Sequence, residues 1–209
     1  MADKNEVYGL VVKGKAKLIA AAVTSALEDG CDATELLDCM ISAMDEVGAK
    51  FKDGEIFVPE MLVAARAMKK GVEVLKPHLA SGVAGAAGKV IIGTVAGDLH
   101  DIGKNLVSMM LESSGFEVID LGVDVPKEKF IEAYEANPDT KIICCSALLT
   151  TTMPALKEAV ALINEAPFRS KVKVMVGGAP ITQAFADEIG ADAYTEDAAS
   201  CAQKAKEIA

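Results

Sequence analysis

The sequence has no CxxC pair, no excess of basic residues and no apolar run that approaches a membrane span. Its five cysteines, Cys31, Cys39, Cys144, Cys145 and Cys201, are odd in number and scattered, which speaks against a zinc or iron–sulfur site built from them. Cys144 and Cys145 fall inside an apolar strand pattern, where thiols behave as small hydrophobes. Against 21 Lys and Arg stand 31 Asp and Glu, a net charge of −10, so a nucleic-acid surface would work against repulsion from phosphate. No nucleic-acid partner is expected. The opening residues, MADKNEVYGLVVKGK, are too polar and acidic for a signal peptide. With no span either, the chain reads as cytoplasmic, with no membrane partner.

What is present is a core-forming composition, 51% apolar over 209 residues, enough for one large domain or two small ones. From Val7 to Leu79 the chain reads as helical, rich in Ala, Leu, Met, Glu and Lys and free of alternating β-branched runs. Asp32 with Glu35 has the form of a capping box, and Gly30 can end the helix before it. Lys52-Asp53-Gly54 is a turn, and Pro59 suits the first turn of a helix whose apolar positions Met61, Leu62, Ala65, Met68, Val72 and Leu75 keep helical spacing. About four helices in a small bundle are expected over residues 1–87. Ala80 to Gly88, ASGVAGAAG, is uncharged and Gly-rich, which suits a flexible connection.

After it the rhythm changes. Strands are expected at Val90–Val95, Phe116–Leu121, Lys141–Ala147, Val172–Val176 and Ala191–Tyr194. Helices follow them at Gly103–Ser114, Lys127–Ala136, Thr152–Asn164, Ile181–Glu188 and Asp197–Ile208. Five apolar strands alternating with helices imply an α/β domain over residues 88–209, a doubly wound five-stranded parallel sheet of Rossmann-like form.

In such sheets ligands sit outside the carboxyl ends of the strands. The first strand ends in Gly97-Asp98-Leu99-His100-Asp101-Ile102-Gly103, which offers an imidazole with a carboxylate two residues before it. The third ends in Ser146-Ala147-Leu148-Leu149-Thr150-Thr151-Thr152, a hydroxyl cluster leading into a helix that Thr150 to Thr152 could otherwise only cap. The fourth ends in Gly177-Gly178, where missing Cβ atoms let a ligand lie close to backbone, or where the chain merely turns. His100 could coordinate a metal, with Asp98 taking its other N–H. One histidine is too few for zinc. A macrocycle would supply the remaining coordination.

Asp98-Leu99-His100-Asp101-Ile102-Gly103, Ser146-Ala147-Leu148 and Gly177-Gly178 resemble, in order and spacing, the DxHxxG, SxL and GG signature of cobalamin-binding domains. With the helical part before it, the chain is similar to the corrinoid proteins of methyltransferase systems and to the cobalamin-binding module of methionine synthase. The resemblance implies a base-off cobalamin or related corrinoid, with His100 as the lower axial ligand of cobalt. Gly97, Asp98, Leu99, Asp101, Gly103, Ser146, Leu148, Thr150, Gly177 and Gly178 would lie around the cofactor and its nucleotide tail. Thr152 takes the place of a serine that partners the Asp–His pair, so Asp98 and Thr152 would tune the ligand. A four-helix bundle would cap the upper face of the corrin, with Phe51 and Val58 where the capping side chains are expected; the alternative is that both are ordinary bundle core.

The function so implied is a methyl carrier, which takes a methyl group from a small donor, holds it as methyl-cobalt and passes it to a thiol or tetrahydrofolate-type acceptor. The chain shows no third domain to bind donor or acceptor, so it is not expected to be a complete enzyme alone. Its expected partners are a substrate-specific methyltransferase, an acceptor methyltransferase and a reductive activase. Two other readings are a cobalamin-dependent sensor, which calls for a basic helix-turn-helix not seen in residues 1–87, and the small subunit of an adenosylcobalamin mutase, which a helical cap disfavours.

Overall fold

The computed structural model describes residues 4–79 and 87–209, and the Gly-rich connection expected at Ala80 to Gly88 lies, up to Ala86, outside the described residues. The chain divides into two compact units, the first carrying the N-terminal helices and the second the sheet.

The helices of the first unit are α1 (Lys4–Val12), α2 (Ile19–Glu28), α3 (Ala33–Lys52) and α4 (Val58–Leu75). Their ends follow from local chemistry. The Asp32 carboxylate accepts from the backbone N–H of Thr34 and Glu35 and opens α3. The reciprocal half of a capping box is replaced by an ion pair, because Glu35 turns to Lys4. Glu60 accepts from the Phe57 N–H at 3.0 Å, and Pro59 sits in the first turn of α4. Inside, Ile19, Leu36, Met40, Met44, Met61, Met68 and Leu75 are wholly or almost wholly buried. Gly71 is where α4 comes close to its neighbours: a Cβ there would overlap Met40 of α3 and stand 3.2 Å from Ile19 of α2. Tyr8 of α1 donates to Glu46 of α3 at 2.5 Å, and the burial of Val7 and Val11 completes the same face.

The second unit runs β1 (Lys89–Thr94), α5 (Ile102–Ser113), β2 (Glu117–Asp120), α6 (Lys127–Ala136), β3 (Thr140–Ser146), α7 (Met153–Glu165), β4 (Lys173–Gly177), α8 (Gln183–Ile189), β5 (Ala193–Tyr194) and α9 (Ala198–Ile208). The five strands are parallel in the order β2-β1-β3-β4-β5. One face packs Ile91, Ile143, Cys145, Val174 and Val176 against Phe130 and Tyr134 of α6, Leu156, Val160 and Ile163 of α7, and Ala186 and Ile189 of α8. Gly93 admits Phe130 to this face, since a Cβ there would meet its ring at 3.0 Å. The chain leaves β1 in one direction to reach β2 and returns across it to β3, so right-handed crossovers put α5 on the opposite face from α6, α7 and α8. The sheet is therefore doubly wound, and its switch point lies between β1 and β3.

The expected elements are all present, with ends displaced by one or two residues where a cap decides. The α8 helix starts at Gln183 rather than Ile181 because the Thr182 hydroxyl accepts from the Phe185 N–H at 3.2 Å. It ends at Ile189 because Gly190 turns left-handed. Thr150–Thr152 form a separate 3-10 turn before α7 begins at Met153.

Candidate functional site

The loops after β1 and β3 leave the sheet at its switch point, which brings them together above the strand ends. Beyond β1, Val95 still pairs with Val125 of the loop after β2. The chain then folds back at Gly97, whose φ of +79° is a left-handed value, and the Asp98 N–H donates to the Val95 carbonyl at 3.1 Å. This turn sends the Asp98 side chain into the protein, where it is wholly buried.

A buried carboxylate needs partners, and Asp98 has them on both oxygens. Oδ1 accepts from the His100 backbone N–H at 3.1 Å and from His100 Nδ1 at 2.7 Å. Oδ2 accepts from the N–H of Leu148 at 2.7 Å and of Leu149 at 3.3 Å, and from the Thr152 hydroxyl at 2.7 Å. The Thr152 oxygen also lies 2.9 Å from the Leu149 carbonyl, but that carbonyl already takes the Thr152 N–H, and the single hydroxyl proton goes to the carboxylate. Burial pushes the Asp98 carboxyl up, yet the Leu148 N–H, the Thr152 hydroxyl and His100 together outweigh it and hold the group well below the usual carboxylate range. These partners favour the ionised form of Asp98.

His100 is half exposed, at 49% of its side-chain surface. Its Nδ1 carries a proton to Asp98, so Nε2 is the basic nitrogen left to bind a metal. Among the described residues, no three His, Cys, Asp or Glu side chains gather as a metal cage. A metal held here must bring its other ligands with it. The surroundings of His100 suit such a group: among the described residues, the exposed large hydrophobic residues of this unit are Leu99, Leu148 and Leu149 on the two loops and Ile102 at the first residue of α5. A lone metal-ready nitrogen near exposed apolar side chains fits a metal that is held in a macrocycle.

The remaining expected residues divide into those with space beside them and those engaged with the protein. Gly103 is open, with nothing near its Cβ position. Thr150 is exposed, and Asp101 holds the start of α5 by accepting from Asn105 Nδ2 at 3.1 Å. Gly177 has room for a methyl group, the nearest atom being the Thr195 carbonyl oxygen at 3.7 Å. Gly178 has none: a Cβ there would overlap the Ala147 carbonyl, and φ is +130°. Its lack of a side chain is required by the contact between the loops after β3 and β4. Phe51 and Val58 belong to the helical unit, at the end of α3 and the start of α4, and Val58 is 40% exposed.

Three residues that the sequence did not mark complete the site. Thr94, buried at the end of β1, donates to the His100 carbonyl at 3.0 Å and lies 2.9 Å from the Ser146 hydroxyl, whose proton it must therefore accept. Lys104 is buried in the first turn of α5, with Nζ 2.5 Å from Asp120 at the end of β2 and 2.7 Å from Asn105 Oδ1. Asp124, in the loop after β2, accepts from the Gly97 N–H at 2.7 Å. None carries a local signal, since each works through a strand or loop distant in sequence.

Comparison with known proteins places these features in context. Two B12 binding domain families match the chain, one over residues 88–202 and one over residues 4–76. The chain is 47% identical over 206 residues to dimethylamine corrinoid protein 1 of Methanosarcina acetivorans, an alignment covering 97% of this chain and 95% of that one. It is 52% identical over 167 residues to dimethylamine corrinoid protein 3 of Methanosarcina mazei, covering 79% of this chain and 99% of that one. The crystal structure of the methanol:cobalamin methyltransferase complex of Methanosarcina barkeri includes a chain that superposes with a TM-score of 0.85 at 30% identity, covering 97% of this chain and 77% of that one.

Proposed function

Because this chain belongs to the B12-binding corrinoid proteins of methyltransferase systems, we propose that it is a methyl carrier in which His100 is the lower axial ligand of a corrinoid. The corrinoid, when bound, supplies a cobalt centre able to take a methyl group from one partner and give it to another. The observation that carries this reading is the imidazole, oriented by a buried anion, on loops that also carry exposed leucine side chains, with exposed Ile102 two residues on.

The protein's own residues have separable tasks. Asp98 keeps the Nδ1 proton in place, which leaves Nε2 bare and raises its electron-donating power toward a metal. Thr152 and the N–H groups of Leu148 and Leu149 fix the carboxylate, so the acceptor that orients the imidazole is itself held in place. Leu99, Ile102, Leu148 and Leu149 would offer apolar surface to a bound corrinoid, Gly97, Asp101, Gly103 and Thr150 would border it, and Ser146, Gly177 and Gly178 would line the path for its nucleotide tail. In the helical domain proposed over residues 1–87, Phe51 and Val58 would shield the reactive face from water until a partner displaces them; residues 88–209 would form the corrinoid-binding domain.

The relatives named for dimethylamine favour a methylated amine as the ultimate donor, delivered by a substrate-specific methyltransferase. A thiol or tetrahydrofolate-type acceptor would be served by a second methyltransferase, with a reductive activase restoring cobalt after oxidation, all in the cytoplasm. No helix among the described residues is long and apolar enough to cross a membrane.

Reconstitution with hydroxocobalamin tests the assignment. The wild-type holoprotein is expected to show the absorption of a histidine-ligated, base-off corrinoid, and His100→Ala the absorption of a form without protein ligand. Identical affinity and spectra for the two would refute the ligand assignment. Failure of the methylated holoprotein to pass its methyl group to any cognate methyltransferase would refute the carrier.

A further inference from the structure

We propose that Asp124 is a positioning residue for the ligand loop, holding the Gly97–His100 turn in the shape that presents Nε2 of His100. The inference rests on the reading of His100 as a cobalt ligand, and its local geometry is independent of that reading. Asp124 lies in the loop between β2 and α6 and reaches both backbone poles of the Gly97–Asp98 pair. Its carboxylate accepts from the Gly97 N–H at 2.7 Å, and its own N–H donates to the Asp98 carbonyl at 2.9 Å. The next residue, Val125, donates to the Thr94 carbonyl at 2.9 Å and pairs with Val95. The β2 loop is thus fastened to the start, the turn and the carboxylate-bearing residue of the β1 loop.

The backbone of Asp124 gives a second reason. Its φ is +53°, the only positive value at a non-glycine residue among the described residues. Glycine would adopt this conformation freely, as Gly122 does two positions earlier at φ +85°. An L-residue is strained there, Asp and Asn less than others because their short polar side chains bond locally. What the aspartate adds in return is the bond to Gly97. Gly97 itself turns left-handed at +79°, and its peptide sets the direction in which the Asp98 side chain leaves the loop. A tilt of that peptide would move the Asp98 carboxylate and the His100 ring together, because one oxygen of Asp98 holds both the ring and the backbone of His100.

The test uses the full chain labelled with [15N]histidine and loaded with cob(II)alamin. Electron paramagnetic resonance then separates a doublet, from a 15N imidazole of the protein on cobalt, from a triplet due to the cofactor's own 14N base. The expected wild-type signal is the doublet, retained in Asp124→Asn, which keeps an acceptor oxygen and tolerates the left-handed backbone. In Asp124→Gly and Asp124→Ala the share of cobalt giving the doublet is expected to fall at least about twofold, and in the apoprotein the Gly97 amide is expected to exchange with solvent about tenfold faster, as loss of one hydrogen bond implies. The glycine variant carries no backbone strain, so the test does not depend on the alanine variant folding well. Wild-type doublet share and Gly97 exchange in both variants would overturn the inference. A wild-type protein with no doublet, unchanged by His100→Ala, would instead overturn the reading of His100, while the exchange rates would still decide whether Asp124 holds the loop.

Discussion

Oδ1 of Asp98 lies 2.7 Å from Nδ1 of His100, and the same oxygen takes the backbone N–H of that residue at 3.1 Å. The other carboxylate oxygen faces the β3 loop, where Leu148, Leu149 and Thr152 donate to it. One buried side chain therefore joins the two loops that diverge at the switch point of the sheet. Orientation of the imidazole and integrity of the loop pair are the same structural event, which makes the consequences of substitution specific.

Asp98→Asn is expected to lower stability by about 3 kcal/mol, because the amide offers one acceptor oxygen where the carboxylate offers two, and its NH2 must face N–H donors on one side or the other. If the NH2 faces His100, the ring must shift its proton to Nε2 and lose the basic nitrogen that a metal needs. Urea unfolding of the apoprotein and corrinoid absorption measure the two losses. The pH profile carries a further signature. Asp98 is held below its ordinary value of 3.8, so the stability that it lends is complete above that pH and is lost as pH falls toward its folded value. Asp98→Asn is expected to flatten this acid limb, and an unchanged limb would show that other carboxylates govern it.

Thr152→Val keeps the shape of the side chain and removes the proton that Oδ2 of Asp98 accepts at 2.7 Å. Two backbone N–H groups remain on that oxygen, so the expected cost is about 1–2 kcal/mol rather than collapse of the site. Thr152→Ser keeps the hydroxyl and is expected to stay within about 1 kcal/mol of wild type in the same unfolding measurement. A loss in Thr152→Ser that exceeds the loss in Thr152→Val would show that the methyl group, and not the hydroxyl, matters at this position.

The sheet was legible because its central strands are buried along most of their length and read as apolar runs. Val90 to Val95 and Lys141 to Ala147 locate β1 and β3 to within a residue at each end. The Asp98–His100 pair was legible because two residues on one loop carry the whole relationship. Thr94 was not, because its task follows from the β1–β3 register, in which it stands opposite Ser146. Lys104 reads locally as an ordinary exposed helix cation; only the end of β2, which brings Asp120 to its ammonium, makes it a buried one. The Thr150–Thr152 run shows the same limit from the other side. A helix start was expected there, and the tighter turn that occurs instead is what carries the Thr152 hydroxyl down to Asp98.

Gly177 and Gly178 are adjacent in sequence and are expected to respond oppositely. Gly178→Ala forces a Cβ into the Ala147 carbonyl at a φ of +130°, so it should destabilise the unit by at least about 3 kcal/mol or prevent folding. Gly177→Ala meets nothing closer than 3.7 Å and should shift stability by less than about 1 kcal/mol. If the nucleotide tail passes beside Gly177, the same alanine should weaken cobalamin binding roughly tenfold, as an added methyl group in a close-packed path does. Fluorescence-free measurements suffice: thermal unfolding of the apoprotein for stability, and absorption titration with hydroxocobalamin for affinity. Unaltered affinity in Gly177→Ala would move the tail away from this loop.

The buried thiol of Cys145 in β3 is expected to make the fold lose stability at alkaline pH. Cys145 is buried on the face covered by α6, α7 and α8, and burial pushes its thiol from 9.0 up to about 12. Cys144, on the opposite face, is also raised, first by its hydrogen bond to Cys201 and then by burial. A thiol that keeps its proton in the folded state while the unfolded chain releases it makes stability fall as pH rises, over the window from about 9 to about 12 for Cys145. Each such thiol contributes a slope of about 1.4 kcal/mol per pH unit within its window. Cys145→Ala is expected to remove one proton's share of that slope, at the expense of some packing at neutral pH, and urea unfolding between pH 8 and pH 11 measures both at once. The native wild-type protein should accordingly react with thiol reagents at Cys31 and Cys39, which are partly exposed, and at Cys144, Cys145 and Cys201 only on unfolding. An alkaline slope identical in wild type and Cys145→Ala would show that the Cys145 thiol does not contribute to it.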